Sequence, residues 1–202
     1  MTTVEREVRI VVLGDALASS SGDPKGMGWL GRVLARTPVN EPQIDVYTLA
    51  NPGDTTAKLL ERYNGEAQMR FAPAGENRLV LVLPNFDPAS GISISRSRLN
   101  VATILDDATR RGISCFVIGP TPNRNPELNR EIEHLSAGFE DVCARRGVHY
   151  VDCFTPLIGH DGWTTEILAD KGGRPGQIGH GLIAWLVLNR GWHEWLELPE
   201  QQ

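Results

Sequence analysis

The sequence predicts a three-layer α/β/α sandwich built on a parallel sheet of about five strands. Short apolar runs alternate with longer segments of helical spacing, in a β-α order that repeats about five times. The helical segments are long enough for the crossover connections that parallel strands require. The run at residues 79–83, Leu-Val-Leu-Val-Leu, is apolar on both faces, which is typical of a strand covered on both sides.

The strands and helices follow in chain order from these patterns. Continuous apolar stretches predict five strands, at residues 9–13, 44–49, 79–83, 115–118 and 149–151. Apolar residues three and four positions apart predict the helices between them. The first helix runs from Trp29 to before Pro38, and the others cover 55–63, 99–111, 127–146 and 178–188. The chain has no obvious linker or internal repeat, so residues 1–202 are predicted to form a single domain.

The composition excludes several classes of protein. The 202 residues are 41% hydrophobic and carry a formal net charge of −5, which is ordinary for a globular domain and lacks the basic surplus of nucleic-acid-binding domains. No run of about 18 apolar residues occurs, so no membrane-spanning segment is predicted. We therefore expect neither nucleic acid nor membrane as a partner. The sequence leaves the oligomeric state open.

The N-terminal residues and the cysteines predict a cytoplasmic protein. Residues 1–8 are polar and charged and lack the apolar stretch of a signal peptide. The three cysteines, Cys115, Cys143 and Cys153, lie in mostly apolar contexts, which favours buried reduced thiols over disulfides. None has Cys-x-x-Cys spacing, and no cysteine–histidine pair has the spacing of a zinc site, so we expect no metal and no cofactor.

Four short segments mark the loops in which a sheet of this kind carries its reactive groups, near the carboxyl ends of the strands. The first is Gly-Asp-Ala-Leu at 14–17, and the second is Asn-Pro-Gly-Asp at 51–54. The third, at 83–87, contains Asn85, and the fourth, at 169–184, contains Arg174. In this order the four segments resemble the sequence blocks of the SGNH/GDSL hydrolase family, and the resemblance spans nearly the whole chain.

The resemblance implies a flavodoxin-like fold and the hydrolysis of esters or other acyl bonds, and with it a small-molecule acyl or carboxylate-containing ligand. In the family, a serine in the first block attacks the carbonyl carbon, and a histidine in the last block takes the serine's proton. An aspartate three residues before that histidine orients it. The oxyanion is held by the N–H of the serine, a glycine N–H in the second block and an asparagine side chain in the third. Fixed donors of this kind stabilise the charge that develops on oxygen.

Two catalytic positions lack the chemistry that the resemblance implies. Ala16 stands at the position of the nucleophilic serine and has no side-chain oxygen. When the last block is aligned on Pro175, Arg174 stands at the position of the histidine and Lys171 at that of the aspartate. Asp170 lies one residue too early, unless Gly172 or Gly173 is an insertion. A guanidinium stays protonated near neutral pH and cannot act as a base. Ordinary serine hydrolysis is therefore not expected.

Other positions in the first three blocks match the resemblance. Gly53 and Asn85 stand where the family has its oxyanion donors. Asp15 matches an aspartate that has a structural role in the family. Leu17 follows Ala16 in the same loop and is, like Asp15, a candidate binding residue.

Three further residues are candidates for the wall of the site. Arg124 lies in the proline-rich loop after the fourth strand. Arg174 can bind a substrate carboxylate or phosphate through its planar fork, or it can form a surface pair with Asp170. His160, on a loop before the last block, is the one candidate for a substitute base, whereas His180 lies too far along the chain to fit the motif.

Three functions are compatible with this pattern. The first is an enzyme of a small-molecule pathway that performs non-hydrolytic or atypical acyl or carbonyl chemistry with the retained oxyanion hole. The second is a pseudoenzyme that binds a ligand without converting it. The third is an ester hydrolase inactivated by an engineered serine-to-alanine change at Ala16. Because Arg174 removes a second catalytic group, natural divergence is favoured over the engineered change.

Overall fold

A computed structural model describes residues 6–40 and 42–198, which form the predicted three-layer α/β/α arrangement. Its strands, which confirm the five predicted ones, are β1 (Glu7–Gly14), β2 (Gln43–Ala50), β3 (Glu76–Val82), β4 (Ser114–Ile118) and β5 (His149–Val151). They pair in parallel and form one sheet in the order β2-β1-β3-β4-β5. The first four strands begin one to three residues before the predicted runs, because mostly polar residues extend their pairing.

Helices pack on both faces of this sheet. The described residues contain eight, namely α1 (Gly28–Leu34), α2 (Thr56–Arg62), α3 (Ile94–Arg110), α4 (Pro126–Ala144), α5 (Phe154–Leu157), α6 (Asp161–Ala169), α7 (Gln177–Asn189) and α8 (Trp192–Trp195). Five of them, α1 to α4 and α7, correspond to the predicted helices. The sequence analysis missed α5 and α8, which are single turns. It also missed α6, whose two buried residues, Trp163 and Ile167, are too few for a clear helical pattern.

The two helical layers follow from the alternation of side chains along the strands. In β1, Ile10 and Val12 point into one core and Val11 and Leu13 into the other, and all four are fully buried. The first core includes residues of α1, α5, α6, α7 and α8, and the second includes residues of α2, α3 and α4. A sheet that is apolar on both faces needs a helical layer on each.

The order of the strands creates an opening at one edge of the sheet. β1 is hydrogen-bonded to β2 on one side and to β3 on the other. The chain therefore leaves β1 toward one side and continues from β3 toward the opposite side, so the loops that follow these two strands diverge. In open α/β sheets, ligands bind at this switch of strand order, outside the carboxyl ends of the strands.

Two further findings concern the helices and the cysteines of the described segments. None of these helices combines the length and the apolar character that crossing a membrane requires. Cys115, Cys143 and Cys153 are buried and free, as predicted. Burial raises the pKa of the Cys143 thiol to about 12, so this thiol stays protonated at neutral pH.

Asp87 connects the loop after β3 to two helices. Its fully buried carboxylate accepts the backbone N–H of Thr56 (2.8 Å) and the hydroxyl groups of Thr56 and Ser97 (both 2.5 Å). Thr56 begins α2 and Ser97 lies in the first turn of α3. A buried carboxylate is tolerated when donors surround it, and these donors would in turn be left unsatisfied without it. Asp87 thereby fixes the loop that contains Asn85.

We predict that Asp87→Ala lowers the free energy of unfolding by about 2–4 kcal/mol, because three buried donors lose their acceptor. Urea unfolding followed by circular dichroism measures this change. The matched control is Asp45→Ala, at an exposed position of β2, which should alter the free energy of unfolding by less than about 0.5 kcal/mol. Equal effects of the two substitutions would contradict the role assigned to Asp87.

Candidate active site

A cleft of about 240 Å³ lies at the carboxyl edge of the sheet. Its wall is built from the loops that follow β1, β3 and β4 and from the loop between α6 and α7. Trp163 of α6, which was not singled out from the sequence, lines it as well. The cleft brings together six of the predicted site residues: Asp15, Ala16, Leu17, Asn85, Arg124 and Arg174.

The loop after β1 holds the predicted nucleophile position in the cleft wall. The segment Ala16–Ala18 forms a 3₁₀ turn, and the Asp15 carboxylate caps it by accepting the N–H of Leu17 (3.0 Å). The hydroxyl of Ser19 donates to the carbonyl oxygen of Ala16 (2.8 Å). The first serine of this loop therefore stabilises the turn, and the side chain presented at the nucleophile position is a methyl group.

Asp15 is a buried carboxyl group in the cleft wall, 6% exposed. Burial raises its pKa to about 7, and the nearby charge of Asp54 acts in the same direction, while the N–H of Leu17 opposes the shift. Removing a carboxylate from water disfavours its charged form, which accounts for the direction of the change. Asp15 can therefore gain or lose a proton near neutral pH.

The two residues predicted as oxyanion donors lie in different places. Asn85 lines the cleft, where its amide nitrogen donates to the carbonyl oxygen of Thr121 (2.9 Å) and retains a second N–H. Gly53 is exposed and does not belong to the residues that line the cleft. It lies in the turn after β2 with a φ of 81°, a conformation that favours glycine. The structure thus brings Asn85 to the cleft and leaves Gly53 outside its wall.

Arg174 lies in the cleft wall with its guanidinium paired to Asp170. Nε and Nη2 donate to the two carboxylate oxygens at 3.0 and 2.8 Å, and Nη1 lies 3.4 Å from the hydroxyl of Ser21. The guanidinium holds the pKa of Asp170 well below its usual range. The side chain of Arg174 nevertheless remains 49% exposed. The ion pair therefore orients Arg174 and leaves Nη1, whose contact is long, available at the surface of the cleft.

Arg124 stabilises the loop that carries Arg174. Its Nη1 donates to the carbonyl oxygens of Asp170 (2.9 Å) and Lys171 (2.7 Å). Its other guanidinium nitrogens have no hydrogen-bond partner in the described part of the chain. Two arginines in the wall and Lys171 on the same loop outweigh the negative charge of Asp170 and the partly ionised carboxyl of Asp15. This balance favours an anionic ligand.

Glu166 also positions this loop, and the sequence analysis missed it. Its carboxylate accepts the backbone N–H groups of Gly176 (2.8 Å), Ile178 (2.9 Å) and Gly179 (2.7 Å) at the start of α7. The first N–H groups of a helix have no partner within the helix, and a carboxylate there also meets the positive end of the helix dipole. Glu166 thereby fixes the end of the loop that contains Arg174.

The two histidines considered as bases do not line the cleft. His160 precedes α6, and its Nδ1 accepts the N–H of Gly162 (3.1 Å), so its ring caps that helix. The expected approach of His160 to the cleft is therefore not observed. His180 is fully buried, and its Nδ1 accepts the N–H of Trp29 (3.1 Å) while Nε2 lies 3.1 Å from the carbonyl oxygen of Ser21. Burial lowers the pKa of His180, which favours a neutral ring that joins α1 to the loop after β1.

The described segments contain no group of three or more histidine, cysteine, aspartate or glutamate side chains arranged to hold a metal ion.

Solved structures of esterases and lipases share this architecture. A lipase/acylhydrolase from Enterococcus faecalis aligns with a TM-score of 0.74 at 21% identity, over 96% of this chain and 98% of that one. TesA aligns with a TM-score of 0.71 at 20% identity, over 91% and 97%. A catalytic mutant of Axe2, an acetylxylan esterase from Geobacillus stearothermophilus, gives 0.71 at 14% identity over the full length of both chains. At these identities the likeness shows the fold.

The sequence comparisons place the chain in a family. No curated protein matches it. The family model of the GDSL-like Lipase/Acylhydrolase family matches residues 12–182. This range contains all the loops of the cleft wall. The strand order and the position of the cleft are consistent with this family match. The chain therefore belongs to the GDSL-like lipase/acylhydrolase family.

Proposed function

We propose that this protein binds a small molecule with an acyl group or a carboxylate in the cleft and forms no acyl-enzyme with it. The observation that carries the proposal is the composition of the cleft wall. Ala16 and Arg174 stand in it at the positions that the family resemblance assigns to the nucleophile and its base, and no histidine lines it in the described residues. The remaining polar groups are suited to holding a ligand.

Hydrolysis by the mechanism that the family resemblance implies needs a hydroxyl beside an imidazole, and the described cleft wall offers no such pair. Ser21 and Thr121 line it, yet neither hydroxyl is hydrogen-bonded to an imidazole in the described structure. A serine hydroxyl is a weak nucleophile until an adjacent base takes its proton. An acyl group therefore has no activated side chain to which it could be transferred.

A carboxylate or carbonyl oxygen can be held by donors from three loops. Arg174 offers Nη1, and Arg124 offers the guanidinium nitrogens that do not contact the loop. Asn85 offers the second N–H of its amide. Charge-assisted hydrogen bonds from arginine to a carboxylate are stronger than those between neutral groups. This arrangement favours a small anion with an acyl part over a neutral sugar or an extended peptide.

A second candidate function is non-hydrolytic chemistry on an acyl or carbonyl compound, and Asp15 favours it. A carboxyl group with a pKa near neutral can donate or accept a proton at the operating pH of an enzyme. Asn85 would polarise the carbonyl group. This function predicts a product that mass spectrometry detects after incubation with acyl compounds, whereas the binding function predicts none.

The binding function predicts saturable association of butyrate in isothermal titration calorimetry. Arg174→Gln should weaken this association roughly tenfold or more, because a charge-assisted hydrogen bond to the ligand is lost. The matched control is Arg110→Gln, since Arg110 is an exposed arginine in an ion pair with Asp107 on α3. An equal effect of both substitutions, or no association of butyrate, would contradict the proposal.

Because no histidine lines the described cleft wall, we predict that restoring the serine does not restore hydrolysis. Ala16→Ser should release no burst of p-nitrophenol from p-nitrophenyl acetate and should show steady hydrolysis no faster than the unchanged protein, because Arg174 stays protonated. Stopped-flow absorbance measures both phases. A clear burst in the Ala16→Ser protein would instead support an ester hydrolase inactivated at this one position.

The raised pKa of Asp15 predicts a pH-dependent gain in stability for Asp15→Asn. Between the ordinary pKa of 3.8 and the folded-state value of about 7, the folded protein holds a proton that the unfolded chain releases. The unchanged protein therefore loses stability as the pH rises through this window, at most about 1.4 kcal/mol per pH unit, whereas Asp15→Asn does not.

Urea unfolding of both proteins at pH 4 and pH 8 tests this prediction. The free energy of unfolding of Asp15→Asn minus that of the unchanged protein should be at least about 2 kcal/mol larger at pH 8 than at pH 4. Other titrating groups, including His180, cancel in this difference. A difference that does not change with pH would show that Asp15 is ionised throughout and would remove the support for proton transfer.

A further inference from the structure

A groove of about 890 Å³ lies between α1 and α7, and it shares no wall residue with the cleft in the described structure. Arg32 and Arg36 come from α1 and the turn that follows it, and His193 comes from α8. The rest of its described wall belongs to α7. A volume of this size is within the range of pockets that bind small molecules. We call this cavity the α1–α7 groove.

The outer face of α7 presents Trp185 to solvent in this groove. Trp185 is 61% exposed, whereas each of the other four tryptophans is at most 4% exposed. Leu188 lies beside it and is partly buried. An indole ring offers a flat face on which a second aromatic ring can stack. The groove therefore contains a surface suited to a planar ligand.

Gly181 leaves a gap in the same face of α7, one helical turn before Trp185. A Cβ atom at this position would meet no other atom within 4 Å, and Gly181 is not among the residues with positive φ. Neither close packing nor backbone conformation therefore requires glycine here. Glycine inside a helix is less favourable than other residues, because it loses more conformational freedom on folding. The missing side chain instead opens space for a planar group beside the indole.

The charged groups of the groove favour an anion. Its described wall contains two arginines and no carboxylate. Nη1 of Arg32 donates to the buried carboxylate of Asp23 (2.5 Å) and to the carbonyl oxygen of Gly28 (2.6 Å), so Asp23 offsets the charge of Arg32. Arg36 is exposed and adds a second guanidinium. Guanidinium groups bind phosphates and carboxylates through charge-assisted hydrogen bonds.

Uncharged polar groups of the groove can pair with the edge of a ring. The amide nitrogen of Asn189 donates to the carbonyl oxygen of Trp185 (2.8 Å), which leaves its Oδ1 as an acceptor. Nε2 of His193 lies 3.1 Å from the carbonyl oxygen of Arg36, so in the neutral ring Nδ1 is an acceptor. The exposed amide of Gln177 offers both a donor and an acceptor. These groups match a ring with nitrogen atoms and N–H groups better than a hydrocarbon ring.

We propose that the α1–α7 groove binds a nucleoside monophosphate, a ligand that joins a planar nitrogenous ring to an anionic group. The ring stacks on Trp185 in the gap at Gly181, and the phosphate is held by Arg36 with Arg32. This site is independent of the proposed function, because the groove and the cleft have no wall residue in common.

The test is a calorimetric titration with adenosine monophosphate, with adenosine as the ring alone and ribose phosphate as the anion alone. The Kd of adenosine monophosphate should be at least about tenfold lower than that of either fragment, because stacking and charge-assisted hydrogen bonds both contribute. Arg36→Gln should weaken the binding of adenosine monophosphate and of ribose phosphate and leave that of adenosine unchanged.

Gly181→Leu places a side chain in the gap and should weaken the binding of adenosine monophosphate at least about tenfold. Because leucine is a better helix former and its Cβ meets no atom, the Tm should not fall. The matched control is Gly65→Leu, at an exposed glycine where a Cβ likewise meets no atom within 4 Å and which lines neither the groove nor the cleft. This control should leave all three dissociation constants unchanged.

Three results would overturn the nucleotide site. The first is no binding of adenosine monophosphate, or binding no tighter than that of adenosine. The second is an equal effect of Gly181→Leu and Gly65→Leu. The third is binding that Arg174→Gln weakens and Gly181→Leu leaves intact, since the nucleotide would then lie in the cleft.

Discussion

The structure depends on a parallel sheet that is apolar on both faces. Because β1 must bury Ile10 and Val12 on one side and Val11 and Leu13 on the other, helices cover both faces, and the crossovers place every strand's carboxyl end at one edge. The position of β1 between β2 and β3 then separates the loops at that edge. The cleft is a consequence of strand order, and it is present whether or not its wall retains a hydrolase's catalytic groups.

Buried or paired carboxylates hold the loops of the cleft wall in place. Asp87 ties the loop of Asn85 to two helices, Glu166 caps the helix that follows the loop of Arg174, and Asp170 orients the guanidinium itself. These three carboxylates thus fix the loops of a cleft wall in which Ala16 contributes a methyl group and Arg174 a guanidinium. The proposed recognition of an acyl ligand depends on the donors and charges that these loops hold in place.

Features that short segments encode could be predicted from the sequence. Continuous apolar runs located all five strands, and Ala16, Asn85 and Arg174, which the family blocks singled out, line one cleft. Contacts between distant segments could not be predicted in this way, because no local pattern shows that Glu166 meets the start of α7 or that the ring of His160 caps α6.

We infer that the cleft holds an acyl ligand by its oxygen-bearing head without a covalent bond to the protein. A crystal structure of the protein soaked with butyrate would show this contact. We expect the butyrate carboxylate to lie within hydrogen-bond distance of Arg174 or Asn85, with no bond to any side chain. Butyrate bound elsewhere, with the cleft empty, would refute this inference.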